Sequence, residues 1–366
     1  MLELWQPEGA FAALEEYLRE RGFFGGGAEG VVADVLLAYG LSEPLRRRPE
    51  PPPPEPCRLP LLACAVRGQT PMWRGQTPPG RRNEVLRGLT PPVDIGAWER
   101  TWSDGEYGGA VDAVRAAIAR GDVYQVNLVQ HLSAPFAGDP AALASRLAPL
   151  VPLHRDPLVG EGWAVVSASP ELLLSRRGRR VWTSPIKGTR PLGGEGELAE
   201  AEKDGAEHMM IVDLERNDLS RVCEPGSVRW PELMWERELA GVVHLVSTVE
   251  GRLRPEVGLP ELLGAVFPGG SVTGAPKLSA LDHIAALEPV GRGPAMAALG
   301  RIHPNGDLDL ALTIRTFAVA DGRLHLWVGG GIVWDSDPEA EIEESWVKAR
   351  PLLAAIGAPL AAPVLR

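Results

Sequence analysis

Beyond residue 100 this chain reads as many strands that do not alternate with helices, and that pattern removes most α/β architectures at once. Residues 123–132 and 164–169 alternate apolar and polar side chains, the period of a strand with one buried face. Residues 171–175 and 180–183 follow as a hairpin turning near Gly178. Residues 310–319 and 324–328 read as long hydrophobic strands, the second ending at a glycine triplet, Gly329 to Gly331. Helices are fewer: 107–120, with Val111, Val114, Ala117 and Ile118 on one face, then 200–219 and 337–356. A doubly wound parallel sheet needs regular strand–helix alternation, and this sequence lacks it.

The first 100 residues have a different texture. Residues 14–21 form a short amphipathic helix ending near Gly22, and 31–38 are a second helix candidate. The proline-rich tract 49–56 can be neither helix nor central strand, so it is an extended connector. None of this third carries readable chemistry. The division expected is 1–100 as an N-terminal segment and 101–366 as a catalytic core.

Composition excludes several functions. A net charge of −11, with no basic run interleaved with aromatics, argues against nucleic acid as a partner. Cys57, Cys64 and Cys223 are too scattered for a disulfide framework or a zinc site. There is no secretion signal and no apolar run near the roughly 20 residues that span a bilayer. A cytoplasmic protein with no membrane partner is expected.

The chain has 37 basic residues, and only Lys187, Lys203, Lys277 and Lys348 are lysines. A desolvated amine can lose its proton and attack carbon, whereas a guanidinium cannot. Lys187, in the Gly/Pro-rich stretch 183–193, is therefore a candidate nucleophile; a surface lysine in a turn is the alternative. The 200–219 helix places Asp204 and Glu207 three apart on one face, and the 337–356 helix does the same with Glu341 and Glu344. Lys348 lies one turn further on. Two carboxylate pairs suit Mg²⁺, which keeps waters and takes one or two carboxylates directly; solvated acidic faces are the alternative. The apolar run Met209 to Val212 places Glu207 at the edge of something buried.

Gly329, Gly330 and Gly331 let backbone N–H groups approach an anion, unless they mark a structural bulge. Arg315, in an apolar run, needs a carboxylate partner, either a substrate's or an internal one. The segment from Gly269 to Lys277 fails as a phosphate loop, because Ala275 and Pro276 intervene and no hydroxyl residue follows the lysine. His244 taken alone reads as a core histidine. Together these features outline a carboxylate-bearing small molecule held by Arg315, Lys348, glycine N–H groups and Mg²⁺, with Lys187 and a carboxylic acid performing the chemistry.

Ordered blocks across residues 103–353 resemble the chorismate-utilising enzymes, which include anthranilate, aminodeoxychorismate, isochorismate and salicylate synthases. The blocks include Gly121-Asp-Val-Tyr-Gln-Val-Asn-Leu128, Ser169-Pro-Glu171, Ser184-Pro-Ile-Lys-Gly-Thr-Arg190, Glu207-His-Met-Met-Ile-Val-Asp213, His244-Leu-Val-Ser247 and Ile314-Arg-Thr-Phe317. The resemblance implies an α/β (α+β) sandwich of two curved, mainly antiparallel sheets covered by helices, with the N-terminal segment woven into the same body. Two positions sort the members. Isochorismate and salicylate synthases carry a lysine base where this chain has Gln125. Anthranilate synthases typically read Pro-Ile-Ala-Gly-Thr where this chain has Pro185-Ile-Lys-Gly-Thr189, and that lysine marks aminodeoxychorismate synthase component I.

The resemblance implies that Lys187 attacks chorismate, Glu171 is the general acid, His244 lies near the reacting ring, and ammonia then expels the lysine. It also implies Mg²⁺ on Glu207 and Glu344, with Asp204 and Glu341 in support, and substrate contacts from Ser271, Gly274, Arg315, Gly329 to Gly331 and Lys348. Ammonia would come from a glutamine amidotransferase subunit, because no glutaminase stretch with a reactive cysteine is seen. An anthranilate synthase and a catalytically silent chorismate-binding subunit are the alternatives. Asp204 stands where glutamate is usual, and Ala295 and Arg301 replace two usual tyrosines, one of which normally helps hold substrate.

Overall fold

The computed structural model describes residues 1–25, 27–28, 30–68, 93–191, 202–239, 242–358 and 364–365. Two large sheets dominate. The first has ten strands, running from Leu2–Leu4 through Leu62–Gly68, Val31–Leu37, Ala298–Ile302, Leu308–Leu312, Leu172–Arg177, Arg180–Ser184 and Val242–Arg252 to Ile186–Pro191, with Arg229–Leu239 also paired to Val242–Arg252. The second has nine and is built on Gln125–Ala137, which pairs with Arg323–Ile332 from Val126↔Ile332 to Pro135↔Arg323. Nearly every pairing is antiparallel; Val364–Leu365 beside Glu99–Arg100 is the parallel one among the described residues. One apolar core joins the sheets, drawing Val35, Leu299 and Leu310 from the first and Val126, Leu128 and Trp327 from the second. Helices cover the outside, and the mixed sandwich has the architecture expected.

Strands from the first 70 residues lie inside the ten-stranded sheet, not beside it. Residues 31–38 are a strand, Val31–Leu37, and not the helix that the sequence suggested. A short apolar run carries no period that separates the two states, and here two neighbouring strands supply the backbone partners. The proline tract is extended as expected, and it is pinned at its end: Gly291 N donates to Pro54 O at 2.9 Å and Gly293 N to Glu55 Oε2 at 2.9 Å.

Two further expectations are corrected. Gln125–Ala137 and Trp163–Ser167 are buried on both faces over nearly their whole length, because helices or the opposite sheet cover each side. The expected long strand over 310–319 is two strands, Leu308–Leu312 and Thr316–Ala320, broken where Arg315 adopts φ 51°. The hairpin around Gly178 forms as read, with Gly178 at φ 58° and Arg177 opposite Arg180.

Candidate active site

Of the two helices that carry the acidic pairs, the second begins and ends where its sequence dictates. Asp337 caps the second by accepting from Ala340 N at 3.0 Å, and Gly357 at φ 72° ends it, giving Pro338–Ile356. This helix packs on Arg323–Ile332 and brings Glu341, Glu344 and Lys348 over the glycine triplet. The first helix, Glu202–Ser220, packs on Val242–Arg252, whose Leu245 is paired with Lys187. Lys187 and Glu207 therefore meet between neighbouring elements of one sheet and its covering helix.

Lys187 Nζ lies 2.7 Å from Glu207 Oε1, and Gln125 Nε2 donates to the same oxygen at 2.6 Å. Both members of the ion pair are mostly buried, with side-chain exposures of 16% and 18%. Burial alone would lower the Lys187 pKa; the carboxylates of Glu207, Glu171 and Glu344 outweigh it and hold the ammonium above its ordinary value. Burial likewise pushes Glu207 upward, but Lys187, Gln125 and Lys348 leave its carboxyl lowered. Lys187 is thus a bound ammonium here, and the partly neutral amine that a nucleophile needs requires Glu207 to release or accept its charge.

Glu171 sits at the start of Leu172–Arg177, where Ser271 Oγ donates to its Oε1 at 3.0 Å. Burial raises its pKa despite Lys187, Ser271, the Ile186 N–H and Arg315, which suits a proton donor. Arg315 lies between Leu308–Leu312 and Thr316–Ala320, its carbonyl accepting from Ala168 N at 2.9 Å. Among the described residues its guanidinium makes no ion pair, and burial lowers its pKa against the pull of the Glu171 charge. Glu171 is thus the internal carboxylate whose charge reaches Arg315, without a direct ion pair among the described residues.

The glycine triplet forms the C-terminal end of the Arg323–Ile332 strand, paired within it and followed only by Ile332. Its glycines serve close packing more than a bulge. A Cβ on Gly331 would sit 1.9 Å from Gln125 Nε2 and 3.0 Å from Glu207 Oε1, and one on Gly330 would lie 3.3 Å from Glu341 Oε2 and 3.4 Å from both Glu344 Oε1 and Lys348 Nζ. On Gly329 it would strike Leu128 O at 1.8 Å, and on Gly274, at φ 134°, Gln125 O at 2.2 Å. Lys348 Nζ holds Glu344 Oε1 at 2.6 Å and Gly329 O at 2.8 Å.

The donor set is compatible with Mg²⁺. Glu207 and Glu344 are oxygen donors that each already hold an ammonium cation, and Mg²⁺ needs only one or two direct carboxylates. Among the described residues no three or more His, Cys, Asp or Glu converge as a larger cage. Asp204 lies on the Glu202–Ser220 helix and His244 on Val242–Arg252 opposite Arg237, but both side chains fall outside the described residues.

The sequence reading used Gln125 only to sort members; the structure makes it a Glu207 partner, and a polar residue in a doubly buried strand is the signal for that. It also missed His208, whose Nε2 lies 2.5 Å from Ser247 Oγ, and the buried Glu288–Arg292 pair. Ala295 is buried in the core, while Arg301 binds Asp34 and Asp156. Arg301 also lines a cleft of about 1060 Å³, which contains neither Lys187 nor Glu171. That cleft is open and lies elsewhere on the ten-stranded sheet, whereas the lysine site is closed by its own ion pairs.

The sequence model of chorismate binding enzymes matches residues 76–354. This chain belongs to the chorismate binding enzyme family. It is 44% identical over 286 residues to anthranilate synthase component 1 of Thermus thermophilus, covering 74% of this chain and 62% of that one. It is 42% identical over 290 residues to aminodeoxychorismate synthase component 1 of Klebsiella aerogenes, covering 75% and 64%. The chain thus spans less than two thirds of the length of these chorismate binding relatives. Its fold is similar to that of anthranilate synthase component I from Streptococcus pneumoniae, at a TM-score of 0.76 and 26% identity, covering 92% of this chain and 84% of that one. Overall likeness does not separate the two named activities.

Proposed function

We propose that this chain converts chorismate and ammonia to 4-amino-4-deoxychorismate, as an aminodeoxychorismate synthase component I supplied by a glutamine amidotransferase subunit. The observation that carries this reading is Lys187, its Nζ set among Glu207, Glu171 and Glu344 at the position where anthranilate synthases typically have alanine. Arg315 and Lys348 would orient the substrate carboxylates. Mg²⁺, held by Glu207 and Glu344, would neutralise and fix the ring carboxylate.

Lys187 first gives up its proton, which requires its 2.7 Å contact with Glu207 to open, because that carboxylate is what holds the ammonium charged. Its lone pair then forms the Nζ–C2 bond while both ring double bonds shift, C1=C2 to C1=C6 and C5=C6 to C4=C5, and the C4 hydroxyl leaves as water, taking the Glu171 proton. Ammonia adds at C4, both double bonds shift back, and the C2 nitrogen leaves as the Lys187 amine, taking up the proton that the added nitrogen gives up. The second reading, anthranilate synthase, is favoured by the 44% identity to the Thermus enzyme. Incubation with chorismate, Mg²⁺ and ammonium separates them: aminodeoxychorismate without pyruvate supports the proposal, and anthranilate with pyruvate overturns it.

A further inference from the structure

Glu207 and Glu344, the two carboxylates assigned to Mg²⁺, each hold a cation supplied by the chain itself. Lys187 Nζ lies 2.7 Å from Glu207 Oε1, and Lys348 Nζ lies 2.6 Å from Glu344 Oε1. The charges also act across the pairs: Glu344 on Lys187, and Lys348 on Glu207. Two acids and two ammonium groups thus form one cluster in which charge balances. Gly331 adjoins Glu207 Oε1 and Gly330 adjoins Glu344 Oε1, so the strand beside them places no side chain against either oxygen.

Charge balance dictates what a divalent cation does to such a cluster. One doubly charged ion replaces two ammonium groups without changing the charge that the two carboxylates face. Direct coordination by Mg²⁺ also demands close, near-octahedral oxygens, and an ammonium bonded to the same oxygen obstructs it. The two lysines therefore compete with the metal for Glu207 and Glu344. After displacement the two ammonium groups carry charge that no longer has an internal partner, which matches a substrate bearing two carboxylates.

The two lysines are held differently. Lys348 Nζ also donates to Gly329 O at 2.8 Å, a tether that keeps it beside the site after it leaves Glu344. Among the described residues Lys187 has Glu207 alone as a direct partner, so its release leaves a flexible stem free to turn. Gln125 Nε2, 2.6 Å from the same Glu207 oxygen, keeps the carboxylate in place when the ammonium departs.

We propose that Lys187 and Lys348 are built-in counter-ions of Glu207 and Glu344, and that Mg²⁺ displaces Lys187 from Glu207 and thereby frees the nucleophile. The Lys187–Glu207 contact is thus autoinhibitory, and the amine reaches chorismate only after the metal has taken the carboxylate. The inference rests on reading Lys187 as the nucleophile and Glu207 and Glu344 as the metal carboxylates.

Isothermal titration calorimetry with magnesium chloride, in the absence of substrate, compares the unaltered chain with Lys187→Met and Lys348→Met. Removing a competing cation is expected to tighten Mg²⁺ binding. The gain is about tenfold for the mostly buried Lys187 and about two- to threefold for Lys348, whose pair with Glu344 is 40% and 52% exposed. Long-range attraction alone also tightens binding, but it fades in about 1 M tetramethylammonium chloride, where the screening length is about 3 Å. A gain that survives this salt supports direct competition; no gain, or one that the salt abolishes, overturns it. If none of the three proteins takes up Mg²⁺, the metal reading and the exchange fall together. Reductive methylation followed by peptide mass spectrometry needs no lysine variant. Lys187 is expected to label several-fold faster with Mg²⁺ than without, and in Glu207→Gln to label fast in both conditions. Equal or slower labelling of the unaltered chain with Mg²⁺ overturns the displacement. A chorismate adduct on Lys187 in a protein whose labelling ignores Mg²⁺ removes the exchange alone. Absence of the adduct with metal-sensitive labelling intact removes the nucleophile and leaves the exchange standing.

Discussion

Two buried cation–carboxylate pairs in this molecule have opposite designs. Arg292 gives Nε and Nη2 to Glu288 and spends its remaining donors on Val272 O at 2.8 Å and Asn127 O at 2.6 Å, while Val129 N donates to Glu288. Lys187 meets Glu207 through a single contact, and the carboxylate shares that oxygen with Gln125. The guanidinium is always charged and fixed in a plane, so its pair works as a pillar between loop and sheet. The ammonium can lose its proton and swing on a flexible stem, so its pair can open. A fully satisfied ion pair marks where the fold is held; a sparsely satisfied one marks where chemistry can happen.

The widest separation of the two is expected from Lys187→Ala. Removing a nucleophile should lower aminodeoxychorismate formation by at least ~100-fold or redirect the reaction, with the thermal midpoint little changed. Unchanged formation, read by product chromatography, would remove the covalent role. Arg292→Met should do the converse. It strands Glu288 as an uncompensated buried acid and is expected to destabilise by about 3–5 kcal/mol in denaturant unfolding. The double variant with Glu288→Gln should lose less than the sum of the singles; strict additivity would show that the pair does not act as a unit.

The helix carrying Glu207 has its own pH limit. Burial, and then the Lys187 charge, hold His208 down at about 4, so it is neutral against Ser247 in the folded state. Its folded pKa is depressed, so its contribution is present above about 6.5 and lost as pH falls toward 4, by up to about 3 kcal/mol. Melting temperatures between pH 7 and 4 check this, and His208→Gln should flatten the slope. The smallest effect is expected from Gly331→Ala, whose methyl displaces the Gln125 amide from Glu207. A rise in KM of about tenfold, or about 1.4 kcal/mol, with the fold retained is the expected outcome; an unchanged KM would separate Gln125 from the site.

The sheet-rich, non-alternating pattern and the two acidic helices were legible because each follows a local period. The Val31–Leu37 strand was not, since its partners come from residues 62–68 and 298–302 and no local signal names them. The glycine triplet showed the same limit: three glycines announce a close approach, but only tertiary structure says that Gln125, Glu207, Glu344 and Lys348 are what approach. Lys187 was legible as a scarce lysine, and its ion pair with Glu207, twenty residues away, was not. Isolated charges thus read as candidates; their pairing, which decides between pillar and reagent, is a property of the fold.

The most direct test of Lys187 is a denaturing mass spectrum of the protein mixed with chorismate and Mg²⁺ in the absence of ammonia. The account predicts an adduct of chorismate less one water, mapped by peptide digestion to Lys187 and lost in Lys187→Ala. Steady formation of aminodeoxychorismate on adding ammonium, with no such adduct at any time point, would contradict it.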